Sequence, residues 1–106
     1  MISMFMAEVK EIDNNTDRII ENKDIFFLKF DELANSIYSW FGIDIRKHKR
    51  NKIYVGEGKE VGFVVNYWNT YDDTRRRFSC SLWVELNHLT QISMKEFKQL
   101  EVVDNL

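Results

Sequence analysis

The chain has 106 residues, of which 44% are hydrophobic and 30% are charged, and its formal net charge is −2. This length suits one domain with one apolar core, and the share of hydrophobic residues excludes a disordered chain. The single cysteine, Cys80, excludes an internal disulfide and cannot by itself supply a zinc site. We therefore expect a single domain over residues 1–106 that needs no metal or other cofactor.

The sequence shows no signal for export or for membrane insertion. Its N-terminal residues lack the basic flank and the longer apolar run of a signal peptide. No apolar stretch approaches the roughly eighteen residues that span a bilayer. We therefore expect a cytoplasmic protein, in a bacterium or in an infected host cell, that has no membrane partner.

The charge is unevenly distributed along the chain. Residues 1–45 carry a net charge of −5, residues 46–77 carry +5 and residues 78–106 carry −2. The small total therefore conceals a basic middle segment. Such a segment is a candidate contact surface for an acidic partner.

Residues 2–12 form the first candidate element. Phe5, Ala7 and Val9 alternate with methionine and charged residues, and this period of two predicts a strand. The content of Met, Ala, Glu and Lys favours a helix about equally. Both interpretations stay open at this point.

Residues 13–41 are predicted to be mainly helical. The polar segment 13–16 ends the first element, and Thr16 predicts the cap of a short helical turn that runs to residue 21. The strongest helix prediction covers residues 24–41, with Gly42 as its C-terminal cap. The apolar side chains of this helix recur at spacings of three and four. They are Phe26, Phe27, Phe30, Leu33, Ala34, Ile37, Tyr38 and Phe41.

An alternative exists for the start of this helix. Residues 25–28, Ile-Phe-Phe-Leu, are also typical of a short buried strand. In that case Asp31 would cap a shorter helix. The sequence favours the longer helix.

Residues 50–87 read as an antiparallel β-meander of three strands. Runs rich in β-branched and aromatic residues cover residues 50–55, 60–68 and 75–87. The segment 56–59, Gly-Glu-Gly-Lys, predicts a tight hairpin, and residues 69–74 predict a longer loop. The third run alternates most clearly, with Trp83 as the one large apolar residue on its polar face. Its apolar face holds Phe78, Cys80, Leu82, Val84 and Leu86.

A C-terminal helix completes the predicted fold. Ser93 and Glu96 have the spacing of a capping box, which places a helix from Met94 to about Val102. The expected class is α+β, with a three- or four-stranded antiparallel meander. A long helix precedes the sheet, the short C-terminal helix follows it, and both pack on one face.

The sequence offers no recognisable catalytic constellation. His48 lies in a basic run, and His88 has no ligand spacing around it, so both are interpreted as surface or structural residues. Cys80 lies on the apolar face of its strand and is interpreted as a core residue. Gly56 and Gly58 lie between two strands and lack the lysine and hydroxyl residue of a phosphate loop. We therefore expect a protein that is not an enzyme.

Two groups of residues are candidate binding sites, for a protein and for nucleic acid respectively. Tyrosine, tryptophan and arginine are enriched at protein-binding hot spots, and clustered cations bind phosphates. The cations lie at the starts of strands one and three of the meander. Because these two strands run in the same direction, the cations are predicted to lie toward the same end of the sheet. Both groups also have a structural interpretation, as buried aromatics beneath a helix and as a solvated rim. The protein-binding group is Trp68, Tyr71, Arg75, Arg76 and Trp83, and the nucleic-acid group is Arg46, Lys47, Lys49, Arg50, Lys52 and Arg77 with the two neighbouring arginines.

The preferred functional hypothesis is a small interaction domain that docks on another protein. The chain is rich in Lys, Asn and Ile, a bias typical of AT-rich coding sequences, as in a bacteriophage, a mobile element or a low-GC bacterium. This suggests an inhibitor or regulator of a host or defence protein. The alternative is a nucleic-acid-binding protein that uses the basic residues. Self-association through an unpaired sheet edge is a further alternative.

Overall fold

The structure, a computed structural model, describes residues 2–92 and shows a five-stranded antiparallel sheet with one α-helix. This confirms the α+β class, although the sheet has five strands where the sequence predicts three or four. The α-helix follows the first two strands and lies between the second and third, so the prediction of a helix that precedes the sheet is wrong. The elements are β1 (Ile2–Asp13), β2 (Arg18–Phe27), α1 (Phe30–Phe41), a 3-10 turn (Ile45–Lys47), β3 (Asn51–Val55), β4 (Lys59–Thr70) and β5 (Arg77–Ile92).

The strand order is β2-β1-β5-β4-β3, and every neighbouring pair is antiparallel. The chain forms one hairpin, β1–β2, and then the predicted meander, β3–β4–β5. These two units join where β1 pairs with β5, from Met4 opposite Leu89 to Asp13 opposite Cys80. Within residues 2–92, the last strand in sequence, β5, is therefore the central strand of the sheet.

One face of the sheet forms the core together with α1. The alternation predicted for β5 is confirmed, because the even-numbered side chains from Phe78 to Val84 are buried and Leu86 packs against them. The helix contributes Leu33, Ala34 and Ile37 to the same cluster. The strands other than β5 add Ala7, Val9, Ile25, Phe27, Phe63, Val65 and Tyr67.

The predicted long helix over residues 24–41 is wrong in its first part. Residues 24–27 belong to β2, and α1 begins at Phe30. In the strand paired with β1, Ile25 and Phe27 face the core and are buried, as the alternative interpretation of this segment requires. The apolar residues of a strand and of the following helix had combined by chance into one helical period. Tyr38, assigned to the buried stripe, is 59% exposed.

The predicted short helix after Thr16 is also wrong, because β2 begins at Arg18. Residues 14–17 form the turn between β1 and β2. Its geometry is set by Asp13, whose carboxylate accepts a hydrogen bond from the N–H of Asn15 and whose carbonyl accepts one from the N–H of Asp17. Of the two interpretations of residues 2–12, the strand is correct. Pairing of β1 with β2 on one side and with β5 on the other outweighs the helix propensity of its residues.

The ends of α1 follow local sequence signals. Gly42 caps the helix with φ of 71°, and its N–H donates to the carbonyl of Tyr38 at 2.9 Å, as predicted. Asp31 lies in the first turn, where its charge suits the helix N-terminus, but it does not cap the helix. α1 is too short to cross a membrane, and no helix of the described residues is both long and apolar enough to do so. The predicted helix from Met94 lies outside the described residues.

The β3–β4 hairpin confirms the turn predicted at residues 56–59. Gly56 and Gly58 adopt φ of 55° and 86°, a region that glycine enters without a steric penalty. A third glycine, Gly62, has a different role in β4. A Cβ atom at this position would collide with the backbone carbonyl oxygen of Val84 on β5. The central strands thus approach each other at a point where no side chain fits.

We expect the substitution Gly62→Ala to destabilise the protein by about 1–3 kcal/mol, because the added methyl group forces β4 and β5 apart. Equilibrium urea unfolding followed by circular dichroism measures this loss. Glu60→Ala on the exposed part of the same strand is the matched control, with an expected change below about 0.5 kcal/mol. Equal unfolding midpoints for the two variants would contradict the close approach.

Candidate binding face

The face of the sheet opposite α1, here called the open face, carries the side chains that alternate with the core residues. Glu8, Lys10 and Ile12 of β1 alternate with Ala7, Val9 and Glu11, so they lie on it. Trp83 of β5 lies opposite Lys10 and Val64. The open face therefore combines apolar and charged side chains at the centre of the sheet.

A cleft of about 450 Å³ surrounds Trp83 on this face. Trp83 is 43% exposed, and the cleft also contains Ile19 of β2 and Val55 of β3, which are 52% and 49% exposed. Large apolar side chains at this exposure are unusual when they lie together rather than singly. The complete lining is Glu8, Lys10, Ile12, Asp17, Ile19, Ile53, Val55, Val61, Trp83 and Glu85.

Trp68 lies on the same face, towards the end of β4. It is 63% exposed, and the guanidinium of Arg77 lies 5.0 Å from its ring centroid. Trp68 lies four positions after Val64, the neighbour of Trp83, which corresponds to about 13 Å along the strand. The sequence left open whether these two tryptophans are core or contact residues, and the structure places both on the surface.

The other members of the predicted protein-binding group lie elsewhere. Tyr71 lies at the core side, where its hydroxyl donates to Asp13 at 3.0 Å and its ring stacks on Phe78 at 4.1 Å. Arg75 occupies the turn after Tyr71 with φ of 56°, and Arg76 accepts a backbone hydrogen bond from Tyr71. The structure therefore places Trp68 and Trp83 on the same face, four positions apart along the strands, and does not place Tyr71 beside either of them.

Two arginines of the predicted nucleic-acid group hold the connector between α1 and β3. Arg46 contacts Asp44 at 3.1 Å and donates to Asn35 at 3.0 Å, and the pKa of the Asp44 carboxyl is lowered mainly by the hydrogen bond from Arg46. Arg50 donates to the carbonyl of Ile45 at 2.9 Å. These guanidinium groups already have partners within the domain. They support the structural interpretation of the basic run.

The remaining cations of that group do not form one patch. Lys52 lies 3.7 Å from Glu60, and Lys47 and Lys49 are exposed. β3 begins opposite Val64 whereas β5 begins opposite Thr70, so the starts of these parallel strands are offset by six residues of β4, about 20 Å. The two strands run in the same direction, as predicted, but the basic groups at their starts do not lie at the same level of the sheet.

Two carboxylates on the core face are each bonded to a tyrosine. Glu11 and Asp13 of β1 are 8% and 6% exposed, and they accept hydrogen bonds from Tyr67 and Tyr71. Burial, together with the hydrogen bond to Glu11, raises the pKa of Tyr67 well above its usual value. No sequence pattern predicts these pairs, because the partners lie 56 and 58 residues apart and only the strand order brings them together.

Among the described side chains, Cys80 and His48 show no arrangement for nucleophilic or metal chemistry. Cys80 is fully buried, and burial raises the pKa of its thiol to about 11, which disfavours the reactive thiolate. Nδ1 of His48 lies 2.9 Å from the carbonyl oxygen of Asp44, so this ring supports the connector. The side chain of His88 is outside the described part. Within residues 2–92, no group of three or more His, Cys, Asp or Glu residues could hold a metal ion.

Comparisons with protein-family models, with curated proteins and with solved structures find no match to this chain. Its function must therefore be argued from its own residues. On the open face, exposed side chains suited to binding line one cleft.

We expect Tyr67→Phe to destabilise the protein by about 1–3 kcal/mol, because it leaves the buried carboxylate of Glu11 without its hydrogen-bond donor. Urea unfolding measures the loss, with Tyr54→Phe, at a tyrosine that is 57% exposed, as the control. The double variant Glu11→Leu/Tyr67→Phe should recover part of the stability. A single variant as stable as the wild type would refute the role of this pair.

We expect the free energy of unfolding to fall as the pH rises from about 9 towards 11. The unfolded Cys80 thiol ionises from its usual value of 9.0, whereas the folded thiol stays protonated until about 11, so alkaline pH favours the unfolded chain. One such group contributes a slope of up to about 1.4 kcal/mol per pH unit. Urea titrations across this range should give a shallower slope for Cys80→Ala than for the wild type. Identical slopes would show that the thiol is not protected.

Proposed function

We propose that this chain is a non-catalytic protein-interaction domain that docks its partner on the open face. The observation that carries this proposal is the cleft around Trp83, where exposed Ile19 and Val55 lie beside an exposed indole. Burying apolar side chains that water now contacts is the main favourable term in protein association. A tryptophan at the centre of such a surface is a typical binding hot spot.

The geometry also suits an inhibitor or regulator that acts by occupying a surface of its target. The sheet presents its strands as a rigid platform, with the core and α1 behind it. Rigid interfaces lose little conformational entropy on binding, which favours affinity from a small area. The composition of the chain suits a cytoplasmic protein encoded by a phage or a mobile element, and the target would then be a host or defence protein.

A nucleic-acid-binding role is the second candidate, and one observation favours it. Trp68 and Arg77 form a stacked pair on the open face, and Arg75 and Arg76 are exposed in the preceding turn. An exposed indole stacks on nucleobases and neighbouring guanidinium groups bind phosphates. The carboxylates beside Trp83 weigh against this role, because they repel a phosphate backbone.

We expect Trp83→Ser to abolish the capture of the protein partner, because it removes the central apolar contact. The experiment compares proteins retained from lysate by tagged wild type, Trp83→Ser and Tyr38→Ser, after nuclease treatment and at two salt concentrations. Tyr38 is an exposed aromatic residue on α1 and serves as the matched control. A protein retained by the wild type and the control but not by Trp83→Ser supports docking on the open face.

Two outcomes would contradict this proposal. The same proteins retained by all three baits would show that the open face is not used. Recovery of nucleic acid that nuclease or added salt removes would instead support the second candidate. In either case circular dichroism of each variant must show the wild-type fold.

A further inference from the structure

Three carboxylates form a row across the open face. The Cα atoms of Glu8 and Asp24 are paired between β1 and β2, and those of Glu8 and Glu85 are paired between β1 and β5. All three residues alternate with core residues and therefore project on the side opposite α1. We call Asp24, Glu8 and Glu85 the acidic row.

The acidic row is an unfavourable arrangement for the isolated domain. Like charges directly opposite each other on neighbouring strands destabilise a sheet. Among the described residues, Lys10 forms an ion pair with one member of the row, Glu8, at 3.0 Å. Two of the three carboxylates therefore have no cation in ion-pair contact within residues 2–92.

The acidic row ends in the cleft of Trp83. Glu8 and Glu85 line this cleft together with Asp17, while Lys10 is its one basic residue within the described part of the chain. Beside these charges lie the apolar side chains of the cleft, including Ile53. A ligand that complements this surface needs apolar side chains for the cleft and positive charges for its rim.

We propose that the occupant of the open face is a cationic amphipathic segment of the partner protein, with lysine or arginine side chains placed on the acidic row. This inference rests on the proposed docking function and specifies the chemistry of the partner. The apolar side chains of the segment enter the cleft, and its cations contact Glu8, Glu85 and Asp17 at the rim. Trp83 serves both parts, because its ring packs against apolar groups and its face attracts a cation.

Charge complementarity decides between this occupant and the others. A second copy of the chain would bring its own acidic row against the first, and an acidic or phosphate-bearing partner would meet the same repulsion. A cationic segment instead removes the repulsion between the three carboxylates. Binding and relief of that repulsion therefore favour the same complex.

The experiment measures the binding of two synthetic peptides to the wild-type chain by fluorescence anisotropy. Both are amphipathic and have the same leucine pattern, but one carries lysine and the other glutamate at every polar position. We expect the lysine peptide to bind at least about tenfold more tightly than the glutamate peptide. Its affinity should fall as salt is added, because the rim charges are exposed.

Variants of the chain then locate the site. We expect Glu8→Gln/Glu85→Gln to weaken the lysine peptide by about fivefold or more, and Trp83→Ser to weaken it further. Asp72→Asn/Asp73→Asn, in the exposed loop before β5, removes the same charge and should leave the affinity unchanged. The Glu8→Gln/Glu85→Gln variant should also unfold at a higher temperature than the wild type, because it removes opposed like charges.

Four results would overturn the inference. The first is no binding of the lysine peptide to the wild type, and the second is equal binding of both peptides. The third is equal weakening of binding by the two double variants. The fourth is a dimer in sedimentation that the lysine peptide dissociates, because this would identify a second copy as the occupant. The proposed function is tested separately by the capture experiment. If Trp83→Ser abolishes capture while Glu8→Gln/Glu85→Gln does not, docking on the open face stands and only the cationic partner is rejected.

Discussion

The pairing of β1 with β5 is the constraint on which the rest of the structure depends. It joins the N-terminal hairpin to the meander. It also fixes which residue of β5 lies opposite each residue of β1 over ten consecutive positions, from Met4 to Asp13. A slip of one residue would exchange the two faces of the strand and expose Val9 while burying Lys10. The same register sets the composition of both faces, so the core and the open face have one origin.

The polar groups that this pairing buries are satisfied on the core face. Only β5 lies between β1 and β4 in the sheet. The side chains of Glu11 and Asp13 therefore reach Tyr67 on β4 and Tyr71 just after it. A carboxylate in such a position is costly unless a donor reaches it, so these pairs also oppose other registers. Polar groups of the connector after α1 are paired in the same way, since Arg46 joins Asp44 to Asn35 of the helix and Arg50 donates to the carbonyl of Ile45.

The open face differs from the core face, where the buried polar groups have hydrogen-bond partners. Its carboxylates face each other across strands, and its largest aromatic side chains contact water. Neither feature stabilises the isolated domain. Both acquire a favourable role when a cationic and apolar partner covers the sheet. Both the opposed carboxylates and the exposed tryptophans of the open face therefore support the proposed binding.

The sequence by itself determined the elements whose signals are local. The alternation in β5, the glycines of the β3–β4 turn and the cap at Gly42 need only neighbouring residues, and the structure confirms them. Strand β2 needed its partner, because Phe26 and Phe27 fit a helical period and only the pairing with β1 makes this segment a strand. Which face Trp68 and Trp83 share, and which carboxylates form the acidic row, depends on strand order and register. These are contacts between residues far apart in the chain, so only the tertiary structure decided them.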